Sequence, residues 1–107
     1  MSKRSDATVL RNAAKIVENG WYQGWYQNTT GDKFCMLGAV NKAASGSAES
    51  LMHGRYRGIL GRTIDDLFGT GTAKGPAHFN DATGRRADEV ARVLRTAARA
   101  LEHGESL

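Results

Sequence analysis

Three residues have the types that cysteine-dependent hydrolases use: Cys35, His78 and Asn80. Their order along the chain is that of papain-like enzymes, in which a thiolate attacks a carbonyl and a histidine transfers the proton. We expect Cys35 near a helix N-terminus, where the helix dipole lowers a thiol pKa. However, His78 and Asn80 flank one residue of a predicted loop, and free cysteines are most often buried and inert. A cysteine-dependent enzyme is therefore only the third hypothesis, and no catalytic residue is predicted.

A local duplication, Trp-Tyr-Gln-Gly-Trp-Tyr-Gln over residues 21–27, holds half of the aromatic residues of the chain. If the segment is a strand, Trp21 and Trp25 share one face and Tyr22 and Tyr26 the other, so one pair cannot lie wholly in the core. Either the rings fill a gap in the core, or they form a contact surface of the kind that dominates protein interfaces. We expect these four residues to bind a partner. Because a thin core can use Trp21, Trp25 and Tyr26 are the strongest candidates.

Arginines line one face of the predicted last helix. At 100° per residue, Arg85, Arg92, Arg95 and Arg99 fall within about 80° of arc, opposite the apolar face. Such a face could bind the phosphates of a nucleic acid. It could equally be a solvated surface on which Asp88 pairs with the arginine one turn later. Nucleic-acid binding through these arginines is the second hypothesis.

Neither a metal nor a cofactor is expected. The single cysteine and the three widely spaced histidines lack the spacing of zinc ligands. The glycine-rich stretch over residues 69–75 lacks the spacing of a phosphate-binding loop. Asn80 and Asp81 are interpreted as structural turn residues before the last helix, because their side chains readily hydrogen-bond the backbone two residues further on.

Short helices must position these residues. Apolar residues recur at helical spacing in four segments, which are 6–19, 35–44, 48–68 and 85–103. Ser5 or Asp6 is expected to cap the first helix, and the third is expected to break near Gly61, with Thr63 capping its second piece.

Turn-forming residues separate the first two helices and follow the third. The turn chemistry of residues 28–32 predicts a short β-hairpin in which Tyr22–Gln27 runs against Lys33–Met36. Residues 69–76 are expected to be a flexible connector, and residues 104–107 to fray.

Length and composition predict one small domain over residues 1–107, with an ordered core over about 6–103. Leu, Ile, Val and Phe together number only 19 residues, about 18% of the chain, which is below the ~20% at which disorder becomes a consideration. The net charge of +4 is too low for a disordered chain, and 15 alanines supply further apolar bulk. The fold class predicted is mainly α, with four to five helices and the short hairpin.

No apolar stretch approaches the ~20 residues of a membrane span, and the lone cysteine favours a cytoplasmic location.

Three short stretches together resemble a known family. They are Gly20–Gly24, Phe34–Val40 and Phe79–Val90. In order and spacing they are similar to a small domain of unknown function found in actinobacteria and their phages, whose members tend to show Trp-x-Gln-Gly, Cys-x-Leu-Gly-Ala and aromatic-Asn-Asp motifs. The resemblance implies a cytoplasmic, mainly helical protein and supplies no activity, substrate or catalytic residue. The second Trp-Tyr-Gln is not part of that pattern, so any use of Trp25 and Tyr26 is expected to be particular to this protein.

The favoured function is a non-enzymatic protein-interaction module, encoded by a phage or an actinobacterium. The aromatic hairpin would contact a host protein or a second copy of the chain. No membrane partner is expected.

Overall fold

The structure, a computed structural model, describes residues 3–69 and 75–107. Within these ranges, five α-helices and one 3-10 helix succeed one another. They are α1 (Lys3–Asn19), α2 (Met36–Ser45), the 3-10 helix (Met52–Tyr56), α3 (Arg57–Phe68), α4 (Gly75–Asp81) and α5 (Ala87–Glu102). The prediction of a mainly α fold is confirmed.

The first and last helices form the largest helix–helix contact of the molecule. They run antiparallel, because Arg11 pairs with Glu102 at one end and Glu18 pairs with Arg95 at the other. Alanine is the most frequent residue type among the described buried residues of both helices. The buried alanines of these two helices are Ala7, Ala13, Ala14, Ala91, Ala97 and Ala98. Many of the alanines of the sequence are therefore core residues.

The second helix crosses the core beside α1. It begins after Cys35, whose Sγ accepts a hydrogen bond of 3.3 Å from the backbone N–H of Gly38. It ends at Gly46, which takes the left-handed conformation with φ 87°. Its first six residues are all buried, so this short helix contributes little surface.

Two expectations about the third and fourth helices are wrong. The helical segment over 48–68 does not break near Gly61, which lies inside α3, and the 3-10 helix gives way to α3 at Arg57. Thr63 is not a cap, because its hydroxyl donates 2.8 Å to the carbonyl of Ile59 one turn earlier. Part of the predicted connector is helical instead: Pro76 fits the first turn of α4, where no N–H is needed. Residues 70–74 of that connector lie outside the described residues.

The hairpin predicted between α1 and α2 is also wrong: the described residues there contain only two isolated bridges. Phe34 pairs with Trp21 in parallel and with Gln27 in antiparallel orientation. Its N–H donates 2.9 Å to the carbonyl of Gly20, and its carbonyl accepts 3.0 Å from Tyr22 N–H. Because Phe34 makes both bridges, the two sides of the loop do not pair with each other along the repeated ladder of a hairpin. Residues 20–28 are called the aromatic loop below.

The turn over 28–32 that motivated the hairpin is nevertheless formed. The side-chain oxygen of Asn28 accepts hydrogen bonds from the N–H groups of Asp32, at 3.0 Å, and Lys33, at 3.1 Å. This closed turn returns the chain to Phe34 and sets the entry into α2.

The two ends of the helical core differ from the sequence-based expectation as well. α1 begins at Lys3, so neither Ser5 nor Asp6 is its cap, and Asp6 is buried within the helix. Beyond α5, where fraying is expected, Leu107 packs against the core and Arg62 hydrogen-bonds the carbonyl of Ser106. No described helix is long and apolar enough to cross a membrane.

Candidate functional site

A buried amide at the end of α4 holds three segments of the chain together. Asn80 is fully buried, and its Oδ1 accepts from the indole Nε1 of Trp21 at 2.7 Å and from the backbone N–H of Met36 at 3.0 Å. Its Nδ2 donates 3.0 Å to the carbonyl of Tyr22 and 2.9 Å to Oδ1 of Asp81. Both acceptor and both donor positions of the amide are therefore used.

The residues after Tyr22 bind the same corner of the molecule. Nε2 of Gln23 donates to the carbonyls of Asn80, at 3.0 Å, and Ala82, at 3.1 Å. The N–H of Gly24 donates 3.0 Å to Oδ1 of Asp81, and Gly24 has a φ of 103°, which favours glycine. The first half of the aromatic loop is thus fixed on the C-terminal end of α4. Asn80 and Asp81, interpreted from the sequence as turn residues, act here on distant segments.

The second tryptophan of the loop has a different environment. Trp25 is 59% exposed, and its Nε1 donates 3.1 Å to a carboxylate oxygen of Glu49. Its ring lies 5.1 Å from that of Tyr26, centroid to centroid, at a tilt of 55°. The Tyr26 ring in turn lies 5.5 Å from the His53 ring and packs partly against the core. Trp25 is therefore an exposed ring held in one orientation from two sides.

The backbone of Tyr26 is docked on the start of α2. Its carbonyl accepts 3.2 Å from the N–H of Cys35. It also lies so close to Gly38 that a Cβ at that position would come within 1.9 Å of the carbonyl oxygen. Only glycine fits this contact, so Gly38 is needed for the loop to reach α2.

A cavity of about 230 Å³ opens beside Trp25. Its lining combines aromatic and aliphatic side chains with one amide and one carboxylate. The lining residues are Gly24, Trp25, Tyr26, Cys35, Leu37, Ala77, Asn80 and Asp81. Trp25 also borders a second concavity, of about 410 Å³, lined by Tyr22, Gln27, Asn28, Thr29 and Glu49 as well. Trp25 thus contributes to two concave surfaces.

The thiol in the first cavity is not activated. Burial raises the pKa of Cys35, outweighing the helix N–H groups of Gly38 and Leu37 that lower it, so the expected lowering by the helix terminus is wrong. His78 is exposed on α4, and the amide of Asn80 is occupied by its other partners. Cys35 and Asn80 both line the cavity, but His78 is not among its lining residues, so the three residues do not form a nucleophilic set.

Two of the four arginines of the predicted stripe are engaged within the protein. The guanidinium carbon of Arg85 lies 3.7 Å from the ring centroid of Phe79, and its Nε donates 2.9 Å to the Phe79 carbonyl. Arg95 makes a two-pronged ion pair with Glu18, with a 2.7 Å contact from one of its nitrogens. Arg92 and Arg99 are exposed, although the guanidinium carbon of Arg92 lies 6.0 Å from the centroid of the Phe68 ring.

The expected pairing of Asp88 with Arg92 is replaced by another. Asp88 pairs with Arg86, at 2.9 Å, in the residues that open α5. Glu89 accepts 2.9 Å from the backbone N–H of Arg86, which is one half of a capping box. A groove of about 430 Å³ runs beside the stripe. Its lining residues are Leu67, Asp88, Arg92, Arg95, Thr96 and Arg99.

An ion pair between α1 and the 3-10 helix escaped the sequence analysis. Arg55 donates to both carboxylate oxygens of the buried Asp6, at 3.0 and 2.8 Å, and the hydroxyl of Tyr56 donates 2.9 Å. The hydrogen bonds from Arg55 lower the pKa of Asp6. Burial, together with the Asp6 carboxylate, raises the pKa of Tyr56 to about 12. The only signal in the sequence is an acidic residue on the apolar side of α1.

Glu49 is the other residue that sequence reasoning missed. Its segment is attached to α2 by the buried Asn41, whose Nδ2 donates 2.9 Å to the carbonyl of Ala48 and whose Oδ1 accepts from His53 N–H. This attachment brings the Glu49 carboxylate to Trp25, 24 residues earlier in the chain. No local pattern indicates such a contact.

The described residues contain no group of three or more His, Cys, Asp or Glu side chains that could hold a metal ion. The site is instead a surface of fixed aromatic rings on a helical scaffold. Residues 1–100 match the model of a family of unknown function, DUF6197, and the chain belongs to this family. No curated protein and no solved structure matches it significantly. The three stretches on which the resemblance to a domain of unknown function rests meet at Asn80, through Trp21 and Met36.

Proposed function

We propose that this protein is a non-enzymatic interaction module that binds a protein partner through the aromatic loop, with Trp25 and Tyr26 as the main contacts. The observation that carries the proposal is the state of Trp25: a large ring, 59% exposed, whose orientation is held by Glu49 and Tyr26. Rigid exposed Trp and Tyr side chains give large contact areas and lose little conformational entropy on binding.

The other two aromatic candidates contribute less to such a surface. The indole N–H of Trp21 is bound to Asn80, and its ring packs partly against the core. Tyr22 is half-buried and borders the second concavity beside Trp25. We therefore assign Trp21 to the support of the loop and Tyr22 to the rim of the contact surface.

Affinity purification from host extract tests the proposal, with the double variant Trp25→Ala/Tyr26→Ala beside the unchanged protein. We expect the variant to lose its partner while its helical circular dichroism is kept, because Trp25 is mostly exposed. Light scattering after size exclusion decides whether the partner is a second copy of the chain. Asn12→Ala, at an exposed position of α1 outside both candidate surfaces, is the surface control, and capture that survives the double substitution contradicts the proposal.

Nucleic-acid binding through α5 is the second candidate function. Arg92 and Arg99 are exposed beside a groove, which favours it, while Arg85 and Arg95 are engaged by other residues of the protein. It requires retention on DNA or RNA that weakens with salt and is lost in Arg92→Glu/Arg99→Glu. Retention that depends on Trp25 and not on these arginines excludes it.

We also propose the cytoplasm as the compartment, and an actinobacterium or one of its phages as the source. The single cysteine supports the first proposal, since it requires no oxidising compartment. The resemblance described above supports both. Fractionation of the expressing cell tests the location, and the neighbouring genes test the source.

A further inference from the structure

We infer that the cavity beside Trp25 receives the side chain of a lysine or arginine from an extended segment of the partner. This inference rests on the proposed function and specifies the chemistry of its contact. The cavity volume of about 230 Å³ is below the roughly 300–1,000 Å³ of sites for drug-sized ligands. A space of this size suits one long side chain better than a whole ligand.

The walls of the cavity match the two parts of such a side chain. Leu37 and Ala77 offer apolar surface to a methylene stem, and the lining also includes Trp25 and Tyr26, whose aromatic rings can attract a cation. Asp81 lies at the same cavity, and in the described residues both of its side-chain hydrogen bonds end on Oδ1. The second oxygen therefore remains available to an ammonium or guanidinium group.

Charge complementarity distinguishes this surface from the rest of the protein. The chain carries a net charge of +4, yet none of the described residues that line the two concavities beside Trp25 is cationic. Each concavity is lined by one carboxylate, Asp81 in the first and Glu49 in the second. The Glu49 carboxylate also accepts the indole N–H, which increases the negative potential of the ring face.

The same mode of contact occurs elsewhere within the molecule. The Arg85 guanidinium lies over the Phe79 ring at 3.7 Å, with Glu89 at 3.3 Å from one of its nitrogens. A ring and a carboxylate thus hold a cation together inside this fold. The cavity beside Trp25 presents the same pair of groups to the exterior.

Capped tripeptides test the inference directly. Acetyl-Gly-Lys-Gly-amide is compared with its norleucine analogue, which lacks only the ammonium group, and acetyl-Gly-Arg-Gly-amide with its neutral citrulline analogue. Binding is followed by the NMR shifts of the Trp25 indole and Gly24 amide signals. We expect the charged peptides to bind about twofold to fivefold more tightly than the neutral ones, the scale of an exposed cation–π contact. Equal affinities, or no shift with any peptide, overturn the inference.

Two variants locate the charge. Asp81→Asn keeps an acceptor for Gly24, so the loop stays in place, and should weaken binding of the lysine peptide by about 1.4-fold to fivefold, the range of an exposed ion pair. Asp66→Asn, an exposed acid on α3, is the control and should change nothing. An affinity unchanged by Asp81→Asn contradicts the inference.

The outcomes separate this inference from the proposed function. If a partner is captured through Trp25 while charged and neutral peptides bind alike, the interaction surface stands and the cation preference is wrong. If partner capture ignores Trp25, the proposed function itself fails.

Discussion

The two Trp-Tyr-Gln repeats of the aromatic loop have the same residues and opposite environments. In the first, over 21–23, the indole of Trp21 donates to the buried Asn80 and packs against the core. In the second, over 25–27, the indole of Trp25 is mostly exposed and donates to Glu49 on the surface. Identical local sequence therefore does not decide which tryptophan is buried.

The difference comes from what each repeat meets in the folded chain. The first repeat is held through the side chains of Trp21 and Gln23, which donate to α4, and through the backbone of Tyr22, which bonds Phe34 and Asn80. The second is held by its backbone at Tyr26, which contacts Cys35 and Gly38 at the start of α2. The contacts of Tyr26 with α2 do not involve the Trp25 ring, which stays largely exposed.

Removing the amide that holds the first repeat should have the largest effect. Asn80→Ala leaves the indole N–H of Trp21, the N–H of Met36 and the carbonyl of Tyr22 without their partner. Because each buried unsatisfied group costs about 1–3 kcal/mol, we expect a loss of about 4 kcal/mol in the free energy of unfolding. Urea unfolding followed by circular dichroism measures it.

The exposed Asn12 on α1 provides the control for this experiment. Asn12→Ala should stay within about 0.5 kcal/mol of the unchanged protein, as surface substitutions do. If Asn80→Ala costs no more than this, the first repeat is not held in the way described.

Disturbing the anchor of the second repeat should come next. In Gly38→Ala the new methyl group would meet the Tyr26 carbonyl at 1.9 Å, so the loop or α2 must shift. Overpacking of this kind typically costs 1–3 kcal/mol, and at this rigid backbone contact we expect a loss of about 3 kcal/mol in the free energy of unfolding, measured by urea unfolding.

Gly61→Ala is the matched control for the second anchor. Gly61 lies inside α3 with open space at its Cβ position, so alanine there should stabilise the helix by about 0.5–1 kcal/mol. A Gly38→Ala protein as stable as the unchanged one would show that the second repeat has another anchor.

The sequence predicts the helices whose signals are local. The apolar spacing of α1 and α5 predicts both helices to within three residues at each end, because their buried faces follow the helical period. The turn at 28–32 is likewise encoded by its own side chains, through Asn28. Such features can be predicted from the local sequence, because their formation does not depend on contacts with distant residues.

The remaining features depend on contacts between distant residues. The hairpin prediction fails because Phe34 lies between the two sides of the loop, and α4 begins in a stretch whose glycines predict no helix. At the candidate site, the aromatic cluster is visible in the sequence, but the partners of its indoles are not. Trp21 meets Asn80 across 59 positions and Trp25 meets Glu49 across 24. No periodicity encodes such pairs.

Acid should weaken the whole fold while leaving the contrast between the repeats intact. The hydrogen bonds from Arg55 hold the pKa of the buried Asp6 below 3.8, its ordinary value. The stabilisation is therefore present above pH 3.8 and is lost as the pH falls through the lower, folded-state value. Asp6→Asn should cost about 2 kcal/mol at neutral pH, the scale of hydrogen bonds to a charged group, and flatten the acid limb of stability.

High salt should weaken the exposed ion pairs of Glu18 and Glu102 more than the ion pair of Asp6, because Asp6 is buried while Glu18 and Glu102 are largely exposed. At about 1 M NaCl, where the Debye length is ~3 Å, the effect of Asp6→Asn should persist. If the stability of the Asp6→Asn variant falls at low pH as much as that of the unchanged protein, the pH dependence comes from other carboxylates.

The smallest effects give the sharpest test of the two repeats, because the same substitution is made in each. Trp21→Phe removes an indole N–H whose acceptor is buried, and we expect a loss of about 1.5 kcal/mol in the free energy of unfolding. Trp25→Phe removes one whose acceptor, Glu49, remains accessible to water, so stability should change by less than about 0.5 kcal/mol. Partner binding should respond in the opposite order, being weakened by Trp25→Phe and unaffected by Trp21→Phe under conditions where both proteins are folded. If both substitutions lower the free energy of unfolding by the same amount, the two indole N–H groups contribute equally to stability, and the assignment of Trp25 as a contact residue is wrong.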